Sequence, residues 1–228
     1  MNDDAPVDEA RAREAGPLRA LLLDFGGVVA TEGFRDGLRH LAETQGLDPE
    51  HVLAMGPVAV HQSGYVTGTG TEADFWRLMR GRARLRGTDR ELTAAILERF
   101  VVRDWMLDYV RRVRAAGLAA AIISDQTDWL ERLDARDHFA AAFDRVFNSY
   151  RLGRSKRDPA IFDAVVAALG VAPGAALFVD DTAAHVERAR GRGLAGIVYR
   201  DRRQLAADLA AWPELPGLAP EGAPAGPA

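Results

Sequence analysis

The chain has 228 residues, 48% of them hydrophobic and 27% charged, so it can bury a core without external staples. Its net charge is −4, its basic residues are scattered and it has no cysteine. These values argue against a nucleic-acid partner, disulfides, thiolate metal sites and cysteine nucleophiles. Neither a membrane-spanning run nor a signal peptide is evident, so we expect a cytoplasmic protein without a membrane partner.

Five short apolar runs have the length and composition of buried strands. The first lies near the N-terminus, and the other four lie in the second half of the chain, separated by helix-spaced residues such as Ile161, Val165 and Leu169. Alternating strands and helices predict a three-layer, Rossmann-like α/β fold with a parallel sheet. The predicted strands are residues 19–23, 119–123, 145–147, 176–179 and 196–199.

The region between the first two predicted strands has helical patterns and no convincing strand. A glycine-rich stretch at 64–70 separates its helices. We therefore predict an all-helical insertion at 33–99, within a core formed by 17–32 and 100–212. Residues 1–16 and the Pro-, Gly- and Ala-rich tail 213–228 are predicted to be disordered.

Polar residues follow several predicted strands at their carboxyl ends, where open parallel sheets bind ligands. Taken singly, each is typical of a helix cap, a turn or a solvated charge. Their combination predicts one anion-binding site, and adjacent carboxylates at one strand end also require a positive partner such as Mg²⁺. These residues are Asp24, Ser124, Asp125, Lys156, Asp180 and Asp181.

The chain carries, in this order, an apolar strand ending in Asp24, then Ser124, Lys156 and the acidic pair 180–181. In these four motifs it resembles the haloacid dehalogenase superfamily. The likeness covers about residues 18–200. It implies that the insertion is a helical cap of the type placed after the first motif (C1). At positions 24–26 the sequence Asp, apolar, Gly is similar to glucose-1-phosphate phosphatase-like members.

The resemblance implies that Asp24 attacks phosphorus and forms an aspartyl phosphate, which water then hydrolyses. Ser124, the backbone N–H of Asp125 and Lys156 would bind the phosphoryl oxygens. The expected function is therefore a phosphatase acting on a small phosphorylated metabolite, with a sugar phosphate as the first choice, as a monomer or homodimer.

The same resemblance implies a Mg²⁺ site beside the nucleophile. Its ligands would be the Asp24 carboxylate, the Gly26 carbonyl and Asp181, with Asp180 supporting the metal through water or from behind. His185, one helical turn after Asp181, is either a further support of this site or an ordinary residue on a helix surface.

Gly26 is the main departure from the family pattern, because related phosphatases usually carry an Asp there as general acid and base. Loss of such a group typically reduces the rate about 10²- to 10⁴-fold, which an anomeric phosphate with a better leaving group would tolerate. Asp125 stands where relatives usually have Asn. We expect its carboxylate to point away from the phosphate or to pair with Arg154 or Arg157.

Substrate choice is expected to depend on the insertion. Its residues with polar tips or stacking faces are His61, Gln62, Tyr65 and Trp76, although all four could instead pack the insertion's own core. Two other functions remain open: a haloacid dehalogenase that uses Asp24 against carbon without a metal, and a binding or regulatory protein that has lost turnover.

Overall fold

A five-stranded parallel sheet lies at the centre of the protein in a computed structural model that describes residues 17–219. Residues 1–16, predicted to be disordered, lie outside the described residues. The strand order is β3-β2-β1-β4-β5, which confirms the predicted parallel α/β fold with strand ends within one residue. The strands β1 to β5 are Ala20–Leu23, Ala119–Ser124, Arg145–Asn148, Ala176–Asp180 and Ala195–Val198.

Helices cover both faces of this sheet and fill the insertion after β1. Among residues 17–219, no helix has the length and apolar composition needed to cross a membrane. The α-helices α1 to α10 are Gly33–Thr44, Pro49–Gln62, Glu72–Ala83, Asp89–Leu97, Asp104–Ala115, Trp129–Asp137, Ser149–Leu152, Ala160–Leu169, Ala183–Gly191 and Arg202–Leu209.

The two faces of the sheet belong to separate hydrophobic clusters because successive side chains of a strand point to opposite sides. In β1, Ala20 and Leu22 join a cluster with Ile161 and Val165 of α8, whereas Leu21 and Leu23 face a larger cluster on the other side. All four β1 side chains are buried. Burial on both faces explains the continuous apolar runs that made the strands readable in the sequence.

The insertion consists of the helices α1 to α4, and its two ends are joined to each other at the core. Ala30 and Val102 form an isolated antiparallel bridge, and the hydroxyl of Thr31 donates a hydrogen bond to the carbonyl of Arg99 at 2.5 Å. Capping boxes at Thr71 and Thr88 fix the starts of α3 and α4. The chain therefore leaves the core and returns to it at one place, beside the turn that follows β1.

A wide turn over Phe25–Val29 follows β1 and brings the backbone close to the sheet edge. Gly27 has a φ of 80°, in the left-handed region that favours glycine. Arg103, which follows the bridge, places one guanidinium nitrogen 2.6 to 2.8 Å from the carbonyl oxygens of Gly27, Val28 and Ala30. A single side chain thus holds three carbonyls of this turn.

The prediction that the tail from residue 213 is disordered is wrong for residues 213–219. Leu215 and Leu218 are buried in the larger core cluster together with Trp212. Glu214 accepts a hydrogen bond from the backbone N–H of Leu18 at 3.2 Å, which ties the segment to the start of β1. Three large apolar residues, three positions apart, outweigh the surrounding Pro and Gly. Residues 220–228 of the predicted tail lie outside the described residues.

Replacing Leu215 with Ala tests this packing. We expect the free energy of unfolding to fall by about 2 kcal/mol, the lower end of the range for a buried leucine. Leu152→Ala is the matched control, because Leu152 is 39% exposed, and it should change stability by less than about 0.5 kcal/mol. Urea unfolding followed by circular dichroism measures both, and equal values would contradict the packing of the tail.

Candidate active site

Asp24 is held at the carboxyl end of the central strand by its own backbone. Its N–H donates to the carbonyl of Val179 at 2.9 Å, and its Oδ1 accepts a hydrogen bond from the N–H of Phe25 at 2.7 Å. The side chain is largely buried but opens into a cavity. Because β1 lies between β2 and β4, at the point where the chain changes direction across the sheet, Asp24 is adjacent to both neighbouring strand ends.

Lys156 brings a buried positive charge to this position. Its Nζ lies 2.9 Å from Asp24 Oδ2 and 2.6 Å from Asp180 Oδ2. Burial alone would lower the pKa of Lys156, but the carboxylates of Asp180, Asp24 and Asp125 raise it above its ordinary value. The ammonium form is therefore the stable one at neutral pH, and it joins the ends of β1 and β4.

Both carboxylate oxygens of Asp180 contact hydrogen-bond donors. Besides Lys156, it accepts the N–H of Thr182 at 2.7 Å, and Nδ1 of His185 lies 3.2 Å from its Oδ2. Burial acts to raise the pKa of Asp180, but Lys156 and His185 outweigh it and hold the pKa below its usual range. His185 thus contacts Asp180, which makes it more than a surface residue of α9.

Asp181 completes a group of three carboxylates at the site. One oxygen of each of Asp24, Asp180 and Asp181 lies within 4.8 Å of the others. Gly27 makes this approach possible, because a Cβ at that position would overlap Oδ2 of Asp181. Burial raises the pKa of Asp181, with a further contribution from Asp180. Burial likewise raises the pKa of Asp24, where Lys156 opposes the effect.

This donor set fits a hard divalent cation. All of the oxygens are carboxylates, which Mg²⁺ prefers, and three carboxylates face a single lysine, so the group has an excess of negative charge. Because Asp180 contacts three donors, more than either of the other two carboxylates, the carboxylates best placed to hold the cation directly are Asp24 and Asp181. Bound there, it would neutralise negative charge on a ligand.

Ser124 and Asp125 extend the site from the end of β2, and both line the cavity. The Asp125 carboxylate accepts a hydrogen bond from the backbone N–H of Lys156 at 2.7 Å. We expected this carboxylate to point away from the phosphate or to pair with Arg154 or Arg157; Arg154 instead contacts Asp158 at 3.3 Å. The residue that replaces the family's usual Asn therefore fixes the loop that carries Lys156.

Gly26 and Glu32 share one region of the cavity. A Cβ built on Gly26 would lie 2.9 Å from Oε2 of Glu32, so the Glu32 carboxyl fills the space that a side chain at position 26 would take. Withdrawal from solvent raises the pKa of Glu32 to about 7, and the nearby Asp181 adds to the shift. Sequence reasoning missed Glu32, because nothing in the chain order links it to position 26.

Comparison with known proteins agrees with this arrangement. Residues 18–191 match the model of the haloacid dehalogenase-like hydrolase family, which is more than half of the chain. The chain belongs to this family. Bifunctional epoxide hydrolase 2 of Rattus norvegicus is 24% identical over 205 residues, covering 81% of this chain and 37% of that protein. The chain thus spans little more than a third of this relative.

Solved structures of haloacid dehalogenase family enzymes have the same fold. One from Bacteroides thetaiotaomicron, in complex with magnesium and inorganic phosphate, has a TM-score of 0.61 and 22% identity, covering 82% of this chain and 98% of its own. The L-2-haloacid dehalogenase of Xanthobacter autotrophicus, with chloropropionic acid covalently bound, has a TM-score of 0.61 and 17% identity, covering 87% and 85%. The fold is therefore shared by a phosphate-binding protein and a dehalogenase.

The cavity of this family member has a volume of about 200 Å³, and its lining includes the predicted strand-end residues except Asp180, which lies behind Lys156. The insertion contributes Phe34, Arg35 and Val60, which were not predicted. The cavity is lined by Asp24, Gly26, Glu32, Phe34, Arg35, Val60, Phe100, Ser124, Asp125, Gln126, Thr127, Trp129, Lys156, Asp181, Thr182 and His185.

The four substrate-contact candidates of the insertion are not part of this lining. Trp76 is fully buried and its indole N–H donates to Thr93 at 2.9 Å; Tyr65 is buried and its hydroxyl donates to Asp128. Gln62 accepts a hydrogen bond from Arg82 on the surface.

His61 interacts electrostatically with two residues of the lining, Asp125 and His185. Burial lowers its pKa, and the charge of Arg157 lowers it further, while Asp125 acts to raise it. The prediction of direct substrate contact is thus wrong for Trp76 and Tyr65, whose polar tips have partners inside the protein.

The Asp180–Lys156 pair makes a pH-dependent contribution to stability. In buffer with EDTA, which excludes divalent cations, we expect Asp180→Asn to lower the free energy of unfolding by about 3 kcal/mol at pH 7, because Lys156 loses a buried partner. The pKa of Asp180 is depressed in the folded state, so this stabilisation is complete above the ordinary value of 3.8 and declines as pH falls below it.

The difference between wild type and Asp180→Asn should therefore narrow when urea unfolding is repeated at pH values below 3.8. Asp163→Asn is the control, since it breaks only an exposed pair with Arg192 and should change stability little at either pH. A difference that widens on acidification would contradict the assigned direction of the Asp180 pKa.

Proposed function

We propose that the chain is a Mg²⁺-dependent phosphatase that hydrolyses a small phosphomonoester through phosphorylation of Asp24. The observation that carries the proposal is the position of two carboxylates, Asp24 and Asp181, beside the Lys156 ammonium in one cavity. Phosphoryl transfer depends mainly on positioning and charge neutralisation, which such a group supplies. The magnesium and phosphate bound by the B. thetaiotaomicron enzyme support the same chemistry.

In this mechanism Asp24 attacks phosphorus while the bond to the leaving oxygen breaks. Lys156 neutralises charge on Asp24 and on the phosphoryl oxygens, and the Ser124 hydroxyl donates a hydrogen bond to one of those oxygens. Water then attacks phosphorus, which releases inorganic phosphate and restores Asp24. Mg²⁺ held by Asp24, Asp181 and the Gly26 carbonyl would offset the negative charge of the transferring group.

The substrate proposed for this site is a small phosphorylated metabolite, with sugar phosphates as the first class to test. A cavity of about 200 Å³ suits a compact ligand better than a polymer. Phe34, Val60 and Trp129 provide apolar surface, and Arg35 provides a cation at the same opening. These groups belong to the insertion and to the first turn of α6, so they are placed to contact the part of the substrate that leaves as the alcohol.

Asp24→Asn tests the nucleophile. Phosphate release from p-nitrophenyl phosphate and from a panel of sugar phosphates should require Mg²⁺ and should fall at least about 10³-fold in the variant, because the carboxamide cannot attack. Asp108→Asn, an exposed change on α5, should retain activity. Chloride release from 2-chloropropionate without phosphate release would instead establish a dehalogenase, and an adduct with beryllofluoride without turnover would indicate a binding protein.

Asp181→Asn tests the metal site separately from turnover. Titration calorimetry with MgCl₂ should show affinity weakened about 10-fold or more, since the carboxylate that opposes Asp24 across the site loses its charge. The same Asp108→Asn variant should bind Mg²⁺ as wild type does. Unchanged Mg²⁺ affinity in Asp181→Asn would contradict the assignment of this residue as a ligand.

A further inference from the structure

The proposed phosphatase reaction requires a proton for the leaving oxygen, because an alkoxide is a poor leaving group at neutral pH. Gly26, the second residue after the nucleophile, has no side chain to supply it. The residue that donates the proton must line the cavity with Asp24, and it must not be one of the groups that neutralise Lys156 or hold the cation.

Most of the ionisable groups in the cavity are already committed. Lys156 is shared between Asp24 and Asp180, and the Asp125 carboxylate is bonded to a backbone N–H. An arginine such as Arg35 does not give up its proton in proteins. Asp181 faces the other carboxylates and is proposed to hold the cation. Glu32 and His185 are the remaining acids of the lining.

Glu32 has the more direct position of the two. Its Oε2 lies 2.9 Å from where a Cβ on Gly26 would be, two residues along the chain from the nucleophile. His185 is instead directed by its Nδ1 toward Asp180, 3.2 Å away. Glu32 is also the residue before α1, so its backbone is fixed by the helix start and by the carbonyl it offers to Asp36 at 3.1 Å.

We propose that Glu32 is the acid–base residue of this site and that its carboxyl performs, from the opposite side of the Gly26 space, the proton transfers that Gly26 cannot. In the first step the Glu32 carboxyl gives its proton to the leaving oxygen as the P–O bond breaks, producing the alcohol, phosphorylated Asp24 and a Glu32 carboxylate. In the second step this carboxylate takes a proton from the attacking water, and inorganic phosphate leaves Asp24.

The chemistry of the surroundings agrees with this role. Glu32 is partly buried among the residues that line the cavity, so its proton transfers take place away from bulk water. Phe100 also packs at the Gly26 space, where a Cβ would lie 3.6 Å from its ring, and it keeps this side of the cavity apolar. The inference rests on the proposed phosphatase function and deepens it.

The test is the dependence of kcat/KM, which reports the phosphorylation of Asp24 and not its hydrolysis, on the leaving group. It is measured with the Mg²⁺-loaded protein on p-nitrophenyl phosphate and on alkyl phosphomonoesters. Glu32→Gln should lose about 10²- to 10⁴-fold on alkyl esters and far less on p-nitrophenyl phosphate, whose leaving group needs no proton. With p-nitrophenyl phosphate the variant should show a burst and accumulate phosphorylated protein by mass spectrometry, because water attack lacks its base. Glu43→Gln, an exposed change on the same helix, should match wild type.

A double variant transfers the carboxyl group from position 32 to position 26. Glu32→Ala should be slow on alkyl esters, and adding Gly26→Asp should recover about 10-fold or more, because the new side chain enters the volume that Glu32 vacates. A folded double variant no faster than Glu32→Ala would overturn the proposal. Circular dichroism and thermal unfolding establish that each variant is folded.

Other outcomes separate this inference from the function on which it rests. If wild type releases no phosphate from any ester, the phosphatase proposal itself fails. If wild type is active and Glu32→Gln loses kcat/KM equally on both ester classes, only the role of Glu32 is overturned. The same holds if His185→Asn, and not Glu32→Gln, changes the leaving-group dependence, which would identify His185 as the proton donor.

Discussion

The buried ammonium of Lys156 is the interaction on which the rest of the site depends. It lies within 3 Å of carboxylates at the ends of two adjacent strands, where removal of charges from water is costly. The neighbouring features compensate for that cost: Asp125 anchors the loop that carries the lysine, while Thr182 and His185 share the charge of Asp180. Stability alone would favour apolar side chains here, and the proposed ligand chemistry supplies a reason for the charged ones.

The fold was predictable to the extent that burial leaves a trace in the sequence. Strands covered on both faces must be continuously apolar, and β1 with Leu21, Leu22 and Leu23 could be located within one residue for that reason. At the C-terminus, the Pro- and Gly-rich composition led to a prediction of disorder that is wrong for residues 213–219. Leu215 and Leu218 are too few to stand out among Pro and Gly, yet their regular spacing places both against the core.

The strand-end part of the site followed from topology, since parallel strands bring their carboxyl ends to one edge. The insertion's contribution did not follow, because Trp76 and Tyr65 satisfy their polar tips internally and leave Phe34, Arg35 and Val60 to face the cavity. Glu32 was hidden for a different reason. Its proximity to Gly26 results from the wide turn after β1, and no periodic pattern encodes the shape of a turn.

The hydrogen bonds from Arg103 to that turn have a consequence for ligand binding. Three carbonyls between Gly27 and Ala30 already have a donor from within the protein, so the turn does not need a ligand to give it shape. The loop that bears the nucleophile is preorganised, and association with a small anion need not spend free energy on ordering it. The same arginine follows the bridge between Ala30 and Val102 that closes the insertion. It therefore connects the turn that carries the nucleophile to the base of the helical insertion.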